Sequence, residues 1–158
     1  MSDNQGRRTG WVVMLIFLCG TVVAGAQDFS HDLTPLRTAF ENYNKDFHAM
    51  AGPLRGEDWQ VVQELENISL VAEDRIFAAS AGLRMYKSVS CEKDRARVRG
   101  ILKEQLEAYS WLFDKEVTRT AGLLTFAKVP AAAQLGLRMK DDLRVAREKL
   151  DAIVAALK

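Results

Sequence analysis

The chain has 158 residues, of which 22 are Lys or Arg and 21 are Asp or Glu, for a formal net charge of +1. That balance excludes general nucleic-acid binding, which needs a net basic surface to displace counterions from phosphates. The length suffices for one hydrophobic core and is short for two ordinary domains.

The N-terminus reads as an export signal. Arg7 and Arg8 form a short basic stretch, with Asp3 the only acid before them. An apolar run follows from Trp11 to Ala24, broken by Gly20 and Thr21, and closes on Ala24-Gly25-Ala26. Those small residues suit signal peptidase, so residues 1–26 are expected to be removed and the mature chain to start at Gln27. A spanning helix needs roughly 20 apolar residues, and this run is shorter. Cys19 follows Ile16-Phe17-Leu18 and lacks the small residue that precedes a lipidated cysteine. The expected address is therefore periplasmic or secreted, by general secretion.

Cleavage would remove Arg7, Arg8 and Asp3 and leave 20 basic and 20 acidic residues. Only Cys91 would remain, so an internal disulfide is ruled out and the fold must stand on packing. In an oxidising compartment that suits a bacterial periplasm better than a small disulfide scaffold.

Residues 27–158 read as one all-α domain. In the first helix Leu33, Leu36, Phe40, Tyr43, Phe47 and Met50 step by three and four. Thr34-Pro35 is the expected start, a capping hydroxyl with proline in the first turn, although Ser30 could cap earlier. Gly52-Pro53 should end it. Gly56-Glu57-Asp58 opens a second helix with acids at its positive end. Its stripe is Val62, Leu65, Ser69, Ala72, Ile76, Ala79, Leu83 and Tyr86. Ser88-Val89-Ser90 separates it from a third, with Ser90 the expected cap. There the stripe runs Leu102, Leu106, Tyr109, Phe113, Val117, Thr120, Leu124 and Ala127. Pro130 disfavours helix at Val129, which predicts a turn rather than a kinked continuation. The fourth helix carries Ala132, Leu135, Met139, Leu143, Ala146, Leu150, Ile153 and Leu157.

Each stripe has a period near 3.6, which a strand could not place on one face. Four such helices with short connections predict an antiparallel up-down-up-down four-helix bundle with shallow, coiled-coil-like crossings. The two middle helices are the longest, so their hairpin should project beyond the first and last unless residues 27–33 fold over it.

Bundles of this shape often hold haem or paired metals, so a ligand- or cofactor-binding bundle is the alternative reading. The residues give it little. No C-x-x-C-H occurs in the domain, and no paired Glu-x-x-His. His31 and His48 both belong to the first helix or its edge, so they cannot sandwich a haem. By helical rise, His48 lies about 5 Å and Met139 about 14 Å from one end, which sets that pair out of register. No catalytic motif of the G-x-S-x-G, H-E-x-x-H or phosphate-loop kind is present. Asn67-Ile68-Ser69 matches a glycosylation sequon, but Ser69 falls on the packing stripe.

One region departs from this plain picture. Arg84, Lys87, Lys93, Arg95, Arg97 and Arg99 stand against only Glu92 and Asp94. The dipole at the end of the second helix favours cations, but the start of the third favours acids, so its cations call for another reason. Arg95 and Arg99 should share a face while Arg97 points elsewhere. Residues 84–99 are thus the candidate docking site for an acidic protein or an anionic membrane surface. Cys91, at the expected helix start, could form a disulfide-linked homodimer. The function expected is that of a non-enzymatic interaction module, an adaptor or chaperone-like binder, with no cofactor.

Overall fold

The computed structural model describes residues 32–157. The expected signal peptide, Gln27, Ser30 and His31 lie outside that range. Within it the chain forms α1 (Thr34–Ala51), α2 (Gly56–Ser88), α3 (Glu92–Leu124) and α4 (Pro130–Ala156). The described residues contain no strand, and none of their helices is long and apolar enough to cross a membrane.

The breaks follow local chemistry, with two corrections. Leu33, not Thr34, occupies the N-cap of α1, and its side chain offers no cap; Pro35 supplies the pre-set first turn instead. Cys91, not Ser90, is the N-cap of α3, again without a side-chain bond. Gly52 closes α1, and α2 opens at Gly56, whose φ of 62° is ready for glycine and strained for most residues. A true turn separates α3 from α4, because α3 ends at Leu124, with Thr125 as its cap, and Val129 is extended before Pro130.

The predicted stripes form the core. Leu36, Phe40 and Phe47 of α1 are buried, as are Leu65, Ile76 and Leu83 of α2. From α3 come Leu106 and Phe113, and from α4 Met139, Leu143 and Leu150. Phe40 stacks on Phe113 with ring centroids 6.3 Å apart. Tyr43, Met50, Tyr86, Tyr109 and Val117, also on the stripes, are only partly buried because they sit at its margins. Ser69 is buried and donates to the Glu66 carbonyl, so the sequon serine is a core residue.

α1 packs chiefly on α2, and α3 chiefly on α4, with α2 against α3 and lesser contacts from α4 to α1 and α2. Polar pairs bridge these seams. Arg37 faces Glu73 and His48 faces Glu66 between α1 and α2. Arg119 pairs with Glu64, and Lys128 with Glu57, between α2 and the end of α3. Arg147 meets Asp114 and Ser110 meets Asp151 between α3 and α4. Tyr43 donates to Asp142 at 2.6 Å, and Lys149 to the Asp32 carbonyl at 3.3 Å, tying α1 to α4. Exposed pairs of this kind contribute at most about 1 kcal/mol each, so apolar burial carries the fold. Gly82 permits a close approach of α2 to α3: a methyl there would lie 2.8 Å from Leu102 Cδ1.

Candidate functional site

The cationic segment spans the end of α2, the turn and the first turns of α3. α2 stops at Val89, which turns extended and bonds back through its N–H to the Tyr86 carbonyl. No residue from 84 to 101 is buried, whereas Leu83 and Leu102 on either side are. The core therefore ends at that level and the segment beyond it is surface.

The structure divides the six predicted cations into three groups. Arg95 is spent on the fold: its Nε and Nη2 both donate to the Val89 carbonyl, at 3.0 and 2.7 Å. It clamps the terminal carbonyl of α2 to the first turn of α3 and also lies 3.8 Å from Glu92. That gives Arg95 a structural role beside the docking role expected of it, and it gives the cation at this helix start the reason that the dipole did not. Lys87 and Arg99 each have an interaction partner. Arg84, Lys93 and Arg97 are exposed and make no hydrogen bond or ion pair among the described residues.

Faces sort the same residues. Lys93, Arg97 and Ile101 follow at four-residue steps along one side of α3. Arg95 and Arg99 lie together on another side, as their spacing predicted, and both are partly buried. Two apolar side chains, absent from the sequence-based site, join the free cations: Met85 is 55% and Ile101 58% exposed. Both fall one position off their stripes, beside Tyr86 and Leu102, and that offset was the available signal. Cys91 is a free, exposed cysteine at the turn.

The alternative sites look different. His48 Nδ1 lies 2.9 Å from Glu66 Oε1, and its side chain is 78% exposed, whereas Met139 is wholly buried. Direction separates them: one faces water and the other the core. Among the described residues no three His, Cys, Asp or Glu side chains are grouped to hold a metal. A cleft of about 490 Å³ opens between the start of α2 and the end of α3, lined by Glu57, Gln60, Val61, Glu64, Leu123 and Phe126. Its charges are already answered. The Lys128 ammonium, bonded to Glu57 at 2.9 Å, holds that carboxyl below its ordinary range, and Arg119 pairs with Glu64.

Set against family models, curated proteins and solved structures, the chain matches none of them. The fold and the charged end therefore carry the functional argument by themselves.

Proposed function

We propose that this chain is an exported, non-enzymatic helical bundle that docks its partner electrostatically through the α2–α3 end. The reading includes an up-down-up-down, antiparallel topology with the α2–α3 hairpin projecting. The cross-helix pairs support it. From Arg37 to His48 the partners on α2 fall from Glu73 to Glu66, and from Glu57 to Glu64 those beyond fall from Lys128 to Arg119. From Ser110 to Asp114 the partners on α4 fall from Asp151 to Arg147. Lengths of 18, 33, 33 and 27 residues support the projection, as does the lack of a buried residue between Leu83 and Leu102.

The observation that carries the docking reading is the trio Arg84, Lys93 and Arg97. These cations are exposed and unanswered at an end of the bundle where the core stops. Such charges steer an anionic partner, and salt weakens them because screening acts over about 8 Å at physiological ionic strength. Export is supported by the basic, apolar and small-residue order of residues 7–26. Intact mass of protein recovered from the exporting host should begin at Gln27; a retained Met1 with tight membrane association would count against export.

The docking test uses immobilised poly-glutamate as a generic anion. The parent should bind and elute with salt, and the Arg84→Ser/Lys93→Ser/Arg97→Ser variant, folded by circular dichroism, should bind far less. If the folded variant binds as well as the parent, the docking reading is wrong.

A further inference from the structure

We infer that the α2–α3 end docks on an anionic lipid surface, with Met85 and Ile101 entering the headgroup layer between the cations; this rests on the docking reading above. An acidic protein and a charged bilayer both attract Arg84, Lys93 and Arg97. The apolar side chains distinguish them. Met85 and Ile101 are each more than half exposed, one per helix, at the level where Gly82 lies against Leu102.

Ile101 continues the Lys93–Arg97 side of α3, and Met85 directly follows Arg84 on α2. Each helix thus presents an apolar side chain beside a long cation. That pairing is the composition of surface-seeking amphipathic segments, in which apolar side chains enter the acyl boundary and Lys or Arg stay with the headgroups. A protein interface instead centres on a packed anchor, most often Trp, Tyr or Arg. Here the exposed tryptophans, Trp59 and Trp111, lie on the helix flanks away from the end, Arg95 is bonded to Val89, and Arg84 and Arg97 are exposed rather than packed. Two separate exposed apolar side chains on the flanks of the hairpin, Met85 three residues before the end of α2 and Ile101 nine residues into α3, suit a deformable lipid layer better than a pocketed protein surface. None of the described helices could span the bilayer, so the contact is superficial and reversible.

Three proteins and two kinds of vesicle test this by co-sedimentation. The parent should bind phosphatidylglycerol-containing phosphatidylcholine vesicles, release with salt, and ignore pure phosphatidylcholine. Arg84→Ser/Lys93→Ser/Arg97→Ser should weaken that binding about a hundredfold, since each cation near a charged bilayer contributes roughly a factor of five. Met85→Ser/Ile101→Ser, with every cation intact, should weaken vesicle binding about tenfold through lost apolar burial. Its binding to poly-glutamate should not change. Met85→Gln/Ile101→Gln, closer in volume, replaces it should the serine variant melt at lower temperature.

Absence of parent binding to the anionic vesicles would overturn the lipid inference, and so would a Met85/Ile101 variant that binds them as tightly as the parent. In either case cation-dependent binding to poly-glutamate would leave the docking reading standing and point to an acidic protein. Loss of cation dependence toward both probes would overturn both.

Discussion

Phe113 shows how one residue reports the register of a whole helix. It is 1% exposed and stacks on Phe40 across the core, as its place on the third stripe predicts. Phe113→Ala should lower unfolding free energy by about 3–5 kcal/mol in a denaturant titration, the range for truncating a buried aromatic. Phe126, 69% exposed, is the control, and its alanine variant should change stability by less than about 0.5 kcal/mol. Thr120 tests the opposite sign. It lies on the same stripe, is fully buried, and its hydroxyl has no hydrogen-bond partner. Thr120→Val removes that hydroxyl at nearly constant shape, so thermal unfolding should show a gain of about 1 kcal/mol. Tyr43 gives a pH signature. Partial burial, then the bond to Asp142 and that carboxylate's charge, push its phenol well above the ordinary tyrosine range. A raised folded-state value means that the site's stabilisation is complete below the unfolded value, about 10, and is lost as pH rises above it. Tyr43→Phe should therefore flatten the alkaline fall in stability. An unchanged alkaline limb would show that Tyr43 titrates as an ordinary exposed phenol.

At the scale of elements, the helix ends were harder to read than the helices. The sequence offers Thr34 and Ser90 as capping hydroxyls, yet Leu33 and Cys91 take those positions and no side chain caps either start. Pro35 pre-sets the start of α1, whereas at the α2–α3 break Arg95 serves the end of α2 and not the start of α3. Arg95 acts from the next helix, closing on the Val89 carbonyl six residues back. A spacing rule for caps does not include that contact, since it depends on how the turn brings α3 under the end of α2. Arg95→Ser should cost about 1–2 kcal/mol, the lower part of the range for hydrogen bonds to charged groups because the guanidinium is 40% exposed, and should speed amide exchange around residues 86–95. Arg97→Ser, four positions along from exposed Lys93, should leave both unchanged. Equal effects of the two substitutions would remove the division between the structural and the free cations.

For the whole molecule, charge and chemistry meet at one end. The α2–α3 end carries the free cations and two exposed apolar side chains on its helices and the free cysteine Cys91 at its turn. A thiol reagent should label Cys91 in the native protein at the rate of an unprotected thiol. An oxidised sample should show disulfide-linked dimer on a non-reducing gel, lost in Cys91→Ser. Like charges on two facing ends oppose that dimer, so its yield should rise with salt, opposite to the binding of an anionic partner. Dimer yield that falls with salt would mean that the ends attract one another, and the picture of a net cationic end would need revision.

The sequence by itself determined the all-α class, the helix periods, the core stripes and the break at Pro130. Those features depend on period and on local backbone sterics, which are properties of neighbouring residues. The basic character of residues 84–99 was legible for the same reason, as a local count of charge. Tertiary structure decided which of those charges is free: Arg95 is bound to a carbonyl, Lys87 and Arg99 have partners, and Arg84, Lys93 and Arg97 face solvent. It also decided that His48 faces water while Met139 is buried in the core, and that Met85 and Ile101 are exposed beside the buried Leu83 and Leu102. Partnering and exposure depend on what other helices bring to a side chain, and helices far apart in sequence come together only when the fold forms.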